Sequence, residues 1–243
     1  MNILLINPNT STSMTEAIGA AARAVAAPGT HIRAVHPSFG PLSIESHYDE
    51  AFAAAGVAEQ VRLATDPRPD AVVIACFGDP GLEAAREATD APVIGIAEAA
   101  FHAASMLATG FSVVTTMTRT CVMAERLLQR YGYERHCRGV HGTDIPVLSL
   151  EGCGESTLAL IEQSAREALA RDGSGAIVLG CAGMAPLCAT LSERLGVPVI
   201  DGVSVAVKFA EGLVALGLRT SKRGDYAPPL PKTFTGWAGS LAW

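Results

Sequence analysis

Charged residues are scarce in this sequence. Asp, Glu, Lys and Arg make up 17% of the 243 residues, hydrophobic residues make up 49%, and the formal net charge is −6. A chain of this length and composition can bury a core, so disorder is disfavoured. Because the net charge is negative, a surface that binds the phosphates of nucleic acid is not expected.

Long hydrophobic runs are also absent. No apolar run approaches the roughly 18 residues that a membrane-spanning helix needs, so we expect a soluble protein. The first residues, MNILLINPNT, contain no basic stretch, and Asn7-Pro8-Asn9 interrupts their apolar run. This segment is therefore not expected to be a secretory signal, and a cytoplasmic location is predicted.

The sequence lacks the motifs that hold disulfide frameworks, metals and common cofactors. Its six cysteines form no CxxC pair, and its six histidines show no metal-ligand spacing. No GxSxG motif of hydrolases occurs. Gly78-x-x-Gly81 follows a predicted strand but lacks the rest of the dinucleotide-binding fingerprint. We therefore predict reduced thiols, no metal and no cofactor.

The sequence does contain a repeated alternation of strand and helix signals. Apolar runs bounded by turn-forming residues predict buried parallel strands, with Ala-rich helical segments between them. The predicted strands are 2–6, 30–35, 71–76 and 92–96 in the first half, and 111–116, 138–141, 176–181 and 198–201 in the second.

The two halves match each other at nearly constant offset. DAVVIACFG (70–78) aligns with GAIVLGCAG (175–183), and APVIGIAEAA (91–100) aligns with VPVIDGVSVA (197–206). NILLINPN (2–9) aligns more loosely with FSVVTTMT (111–118). We interpret this as an internal duplication. It predicts an α/β fold of two pseudo-symmetric lobes, each a four-stranded parallel sheet flanked by helices, with the active site in the cleft between them. Residues 1–97 plus 208–243 would form the first lobe, and 98–207 the second.

The duplication pairs Cys76 with Cys181 at the ends of matched strands. Ligands bind outside the carboxyl ends of parallel strands, so the two thiols are expected to face each other across the cleft. Helix starts are predicted after each cysteine, with Asp79-Pro80 as N-cap and first residue, and with Pro186 opening the later helix. Nearby N–H groups are expected to lower each thiol pKa toward neutrality. One thiolate could then remove a proton while the other thiol returns one to the opposite face, which is racemisation without a cofactor.

Other residues are candidates for contact with a small-molecule substrate. Glycine at 78 and 183 would let the backbone approach the ligand and stabilise an enolate through N–H groups. Asn7 and its repeat partner Thr116, beside Thr115, are polar candidates. Loop 38–48 is a candidate lid. The full set of predicted substrate-binding residues is Asn7, Ile44, Phe77, Gly78, Asp79, Thr115, Thr116, Ala182 and Gly183.

Four segments resemble those of a known enzyme family: NPNTS, GPLSIESHYDEA, IACFGDPG and LGCAGM. They are similar to segments of the aspartate/glutamate racemase superfamily, and within it most similar to hydantoin and allantoin racemases. The resemblance covers essentially the whole chain. It implies a two-lobed pseudo-symmetric fold, cofactor-independent proton transfer, Cys76 and Cys181 as the acid/base residues, and a homo-oligomer.

The residues after the cysteines differ from those of the amino-acid racemases. Those enzymes have Asn-Thr after the first cysteine and Thr-His after the second, whereas this sequence has Phe77-Gly78 and Ala182-Gly183. A less polar pocket suits a neutral ring such as a 5-substituted hydantoin better than a zwitterion. A hydantoin racemase is therefore predicted. Two alternatives stay open, an allantoin racemase and a two-lobed protein that only binds a small molecule.

Overall fold

The computed structural model describes residues 1–152 and 154–241, so Cys153 and the last two residues of the tail lie outside the described residues. Within the described residues, eight strands form two four-stranded sheets in which every pairing is parallel. Parallel neighbours need a crossover connection, and helices supply it here. The predicted α/β fold class is confirmed.

The two sheets have the same strand order. The first half contains β1 (Asn2–Ile6), α1 (Thr12–Val25), β2 (His31–Val35), α2 (His47–Leu63), β3 (Ala71–Ile74), α3 (Leu82–Ala88), β4 (Val93–Gly95) and α4 (Ile96–Leu107). The second half contains β5 (Phe111–Thr115), α5 (Cys121–Tyr131), β6 (Cys137–Gly142), α6 (Glu155–Asp172), β7 (Ala176–Leu179), α7 (Cys188–Leu195), β8 (Val199–Asp201) and α8 (Gly202–Ala215). The orders β2-β1-β3-β4 and β6-β5-β7-β8 reproduce the duplication that the sequence predicts.

The burial of each strand matches its place in the sheet. β3, β5 and β7 are buried at every residue, as expected for strands covered on both faces. β2 and β6 lie at the sheet edges and are partly exposed. No helix among the described residues combines the length and apolarity needed to cross a membrane.

α1 begins after Ser11, whose hydroxyl accepts from the amide of Met14 at 3.1 Å. Two predicted helix starts are wrong. Asp79 does not cap the helix that follows it, because Gly81 in the left-handed conformation (φ 72°) precedes α3. Pro186 lies inside a short 3₁₀ segment, and α7 begins only at Cys188.

Two helices cross between the sheets. α4 follows β4 of the first sheet, yet its Phe101 packs with Phe111 of the second. α8 follows β8 of the second sheet, yet its Val203 packs with Leu5 of the first. The two helices therefore join the lobes through shared core. The division of the chain at 97/98 and 207/208 stays a prediction, and its second boundary falls within α8.

The segment after α8 packs on the first lobe. The Lys222 ammonium donates to the carbonyl oxygens of Arg86 and Glu87, both at 2.8 Å, at the carboxyl end of α3. Thr220 donates its hydroxyl to the carbonyl of Ala91 at 2.7 Å. These bonds hold the tail against the chain that carries β4.

The contact between α4 and α8 gives a stability prediction. A Cβ at Gly202 would lie 2.1 Å from the carbonyl oxygen of Ile96, so Gly202→Ala forces two backbones apart and should destabilise the fold by about 1–3 kcal/mol. Gly212→Ala is the matched control on the same helix, because nothing lies within 4 Å of its added methyl. The control should stabilise by about 0.5–1 kcal/mol. Urea unfolding measures both, and equal effects would contradict the close packing.

Candidate active site

Both cysteines lie in matched turns just beyond the sheets. Cys76 is two residues past the end of β3, and Cys181 is two residues past the end of β7. The carbonyl of Cys76 accepts from the amide of Asp79 at 3.0 Å, and the carbonyl of Cys181 accepts from the amide of Met184 at 3.0 Å. The repeated sequence therefore produces the same hydrogen-bonded turn twice.

Backbone amides of these turns contact the sulfurs. The amide of Gly78 hydrogen-bonds the Cys76 sulfur. The amides of Gly183 and Met184 hydrogen-bond the Cys181 sulfur. Each sulfur thus has backbone donors that favour the thiolate form.

One cavity between the sheet ends brings the two cysteines together. Of the predicted contacts, the structure places in its lining Asn7, Ile44, Phe77, Gly78, Thr115, Thr116 and Ala182. The lining residues that the sequence reasoning missed are Asn9, Met14, Ala75, Thr120, Met123, Ala124, Val147 and Gly180. Asn9 belongs to the NPNTS segment, and Thr120 follows β5 as that segment follows β1. Their position just past the first strand of each sheet is the signal that could have indicated both.

The lining carries no charged side chain among the described residues. Besides the two thiols, its polar side chains are the amides of Asn7 and Asn9 and the hydroxyls of three threonines. An ionised group transferred into such a cavity loses its hydration without gaining a partner of opposite charge. The cavity therefore suits a neutral ligand with hydrogen-bonding edges.

Of the five asparagine and threonine side chains in the described lining, all except that of Thr116 are partly engaged by the protein itself. The side-chain amide of Asn7 donates to Asn9 Oδ1 at 2.7 Å and to Thr15 Oγ1 at 2.9 Å. The hydroxyl of Thr115 donates to the carbonyl of Gly180 at 2.9 Å. Asn7 thus orders the start of α1. Its side-chain oxygen has fewer protein partners than its side-chain nitrogen. The hydroxyl oxygen of Thr115 likewise accepts fewer hydrogen bonds from the protein than it donates.

Asp79 and Gly183 do not line the cavity. Asp79 is 2% exposed, and its carboxylate accepts from the amides of Ala97 at 3.1 Å and Glu98 at 2.9 Å and from the Tyr131 hydroxyl at 2.9 Å. The predicted contact of Asp79 with substrate is therefore not brought about. Gly183 acts on the site through its amide at the Cys181 sulfur.

The candidate lid, loop 38–48, contacts both the cavity and the second half of the chain. Ile44 of this loop lines the cavity, and the neighbouring Glu45 accepts from the amide of Val147 in the second half at 2.8 Å. A second contact runs the other way, from the hydroxyls of Ser11 and Ser13 to the carboxylate of Glu151, at 2.8 and 2.7 Å. Each half thus contributes one carboxylate, Glu45 or Glu151, that accepts hydrogen bonds from the other half.

The family model for Asp/Glu/Hydantoin racemase matches residues 3–210. The chain belongs to this family. It is 47% identical over 236 residues to a hydantoin racemase from Pseudomonas sp. (strain NS671), covering 97% of this chain and 95% of that protein. A solved structure of an allantoin racemase from Klebsiella pneumoniae is similar with TM-score 0.96 and 58% identity, over 99% of this chain and 98% of that one. An allantoin racemase structure from Pseudomonas fluorescens has TM-score 0.93 and 42% identity, over 97% and 100%.

The family is one of isomerases, so this chain is an enzyme of the racemase type. The alternative that it only binds a small molecule is accordingly disfavoured.

The thiols of this racemase are weaker acids than the sequence suggests. Burial raises the pKa of Cys76 to about 12 and that of Cys181 to about 11. Nearby carboxylates act in the same direction, Asp79 and Glu50 on Cys76 and Glu45 on Cys181. The expectation of near-neutral pKa values is therefore wrong, because desolvation outweighs the backbone donors. A charge on Cys181 also raises the pKa of Cys76, so the cavity favours at most one thiolate.

These pKa values predict that activity rises with pH. The fraction of thiolate grows about tenfold per pH unit below the thiol pKa, so kcat/KM should increase steeply from pH 7 to 9. Polarimetry of initial rates measures this, with a Cys76→Ser, Cys181→Ser double variant as the background for uncatalysed racemisation. A kcat/KM that stays constant over this range would contradict raised thiol pKa values in the free enzyme.

Proposed function

We propose that this enzyme racemises 5-substituted hydantoins by a cofactor-independent two-base mechanism with Cys76 and Cys181. The observation that carries the proposal is that equivalent cysteines of the two halves line one cavity, each with backbone amides at its sulfur. Racemisation needs both cysteines, because it requires a base on one face of the carbon and an acid on the other.

The reaction needs no electron acceptor. One thiolate takes the C5 proton, so the C–H bond breaks, an S–H bond forms, and the electron pair moves onto the adjacent ring carbonyl as an enolate. The other thiol then gives its proton to the opposite face of C5 and becomes the thiolate. The product is the other enantiomer, and exchange of a proton with solvent resets the two sulfurs.

The cavity offers groups for both charges that develop. The amides of Gly78 and Gly183 stabilise whichever sulfur is ionised. The side chains of Asn7, Asn9 and Thr116 line the same space and provide polar contacts for the ring carbonyls and the enolate oxygen. The apolar side of the lining, which includes Ile44, excludes water from the thiolate.

Allantoin is the second candidate substrate. It is itself a hydantoin with a ureido group at C5, so the same chemistry applies. The 58% identity to the Klebsiella pneumoniae allantoin racemase favours it, and Asn9 and Thr120 supply polar partners that a ureido group could use. The homo-oligomer and the cytoplasmic location implied by the sequence stay predictions, and light scattering of the purified enzyme tests the first.

The substrate class is tested by comparing neutral and charged carbon acids. We expect kcat/KM for enantiopure allantoin or 5-benzylhydantoin to exceed that for aspartate or glutamate by at least about 100-fold, because burying unpaired charges in the cavity costs several kcal/mol. Chiral chromatography of timed reactions measures all four. The ratio between allantoin and benzylhydantoin ranks the two candidates, and turnover of an amino acid at a similar rate would contradict the neutral-ring proposal.

The two-base mechanism predicts that Cys76→Ser and Cys181→Ser, called here the single-cysteine variants because one of the two active-site thiols remains, act on opposite enantiomers. In Cys76→Ser the hydroxyl is too weak a base, so racemisation should fall by about 100-fold or more. In deuterium oxide this variant should still exchange the C5 proton of one enantiomer with retention, through Cys181. Cys181→Ser should exchange the other enantiomer, and NMR of enantiopure substrate measures both.

Cys188→Ser serves as the control for loss of a thiol. Cys188 is outside the cavity lining and donates its S–H to the carbonyl of Val199 at 3.0 Å, a bond that serine can keep. Full activity is expected in this control. A single-cysteine variant that exchanges both enantiomers equally would point to a one-base mechanism.

A further inference from the structure

The two crossing helices begin in different ways, although they follow equivalent strands. The N-cap residue of α8 is Asp201, whose carboxylate accepts from the amide of Ser204 at 2.8 Å. The repeat aligns Asp201 with Gly95, which is the N-cap residue of α4 and has no side chain to offer. The first amides of α4 therefore need a partner from elsewhere.

Asp79 supplies that partner from the turn that carries Cys76. Its carboxylate accepts from the amides of Ala97 at 3.1 Å and Glu98 at 2.9 Å, both in the first turn of α4. Gly95 leaves the room for it, because a Cβ at Gly95 would lie 2.2 Å from the carboxyl carbon of Asp79. The missing cap in α4 and the buried carboxylate in the turn are thus two parts of one arrangement.

Asp79 is also the closing residue of the cysteine turn. Its amide donates to the carbonyl of Cys76 at 3.0 Å, and its φ of 45° lies in the left-handed region that non-glycine residues seldom adopt. Tyr131 of α5 donates its hydroxyl to the same carboxylate at 2.9 Å. The carboxylate therefore fixes the turn against both α4 and α5.

Within the part of the chain that the structure describes, the turn of Cys181 has no such side-chain attachment. The position equivalent to Asp79 is Met184, whose side chain is fully buried in the apolar core of the second sheet. Packing alone holds that side chain, while α8 is capped by its own Asp201. The pseudo-symmetry of the two halves is broken at this pair of positions.

Electrostatics does not explain a carboxylate beside Cys76. The charge of Asp79 raises the pKa of the Cys76 thiol, in the same direction as burial, and so opposes formation of the thiolate. Burial raises the pKa of Asp79 itself to about 7, against the effect of its three donors. Any benefit to Cys76 must therefore come from the geometry that the carboxylate imposes.

We propose that Asp79 is a positioning residue for Cys76. By capping α4, the Asp79 carboxylate holds the turn 76–79 in place. Proton transfer at Cys76 therefore depends on Asp79, whereas proton transfer at Cys181 does not. The inference rests on the proposed two-cysteine mechanism. Overall racemisation cannot separate the two half-reactions, because both directions need both cysteines. The test therefore uses the single-cysteine variants, each of which isolates one sulfur.

Asp79→Asn is added to Cys181→Ser, where only Cys76 acts, and to Cys76→Ser, where only Cys181 acts. The rate of C5 exchange in deuterium oxide is measured in alkaline buffer, where the carboxylate is ionised. Exchange through Cys76 should fall by about 10-fold to 100-fold, since small displacements of a reacting group have effects of this size. Exchange through Cys181 should fall by less than about threefold, within the range of an indirect structural effect.

A transfer of the cap separates positioning from stability. Asp79→Gly removes the carboxylate while tolerating the positive φ, and Gly95→Asp added to it gives α4 the local cap that Asp201 gives α8. The double change should recover the melting temperature lost in Asp79→Gly. Exchange through Cys76 should stay low, because the turn is still not attached to the helix.

Four results would overturn the proposal. Equal losses in the two single-cysteine backgrounds would make Asp79 a purely structural residue, as would recovery of exchange together with stability in the cap transfer. Faster exchange through Cys76 in Asp79→Asn would show that the charge, not the position, matters. If the parent single-cysteine variants lack opposite preferences, the two-base mechanism fails before Asp79 is changed, and the dependence of Cys76 on Asp79 fails with it.

Discussion

The exchange of α4 and α8 between two parallel sheets determines where the chemistry can occur. Each helix leaves the sheet it follows and packs on the other, and their first residues meet where Gly202 touches the backbone of Ile96. The carboxyl ends of both sheets are thereby directed into one cleft. Cys76 and Cys181 lie there two residues past their strands, so the sheets and not long loops fix their positions.

Burial of the two thiols has opposing consequences for catalysis. It raises their pKa values, which lowers the fraction of thiolate near neutral pH. It also makes each thiolate a stronger base, which suits a weak carbon acid as substrate. The glycine amides at the sulfurs limit the rise in thiol pKa. The uncharged lining excludes competing counterions and so preserves the basicity of the thiolate. Their mutual repulsion disfavours ionisation of both sulfurs at once.

The sequence was sufficient for the features that depend on local pattern or on repetition. Strand signals located all eight strands, and the matched segments around Cys76 and Cys181 predicted two similar four-stranded parallel sheets. The thiol pKa values could not be predicted from the sequence, because they depend on how deeply the turns are buried. The role of Asp79 could not be predicted either, since its partners in α4 and α5 are distant in the chain. Val147 reaches the cavity from the segment between β6 and α6, which lies outside the segments that the sequence comparison matched.

The central claim is that two different bases act on opposite faces of C5, and isotope labelling of the unmodified enzyme tests it most directly. Enantiopure hydantoin or allantoin is incubated in deuterium oxide, and both enantiomers are separated at low conversion and analysed for deuterium at C5. With two bases, one sulfur removes the C5 proton and the other sulfur, already exchanged with solvent, supplies a deuteron. The product should therefore carry deuterium from the first turnovers, while the remaining substrate keeps protium. A product that retains the substrate's protium, or equal deuterium in both enantiomers, would contradict the account.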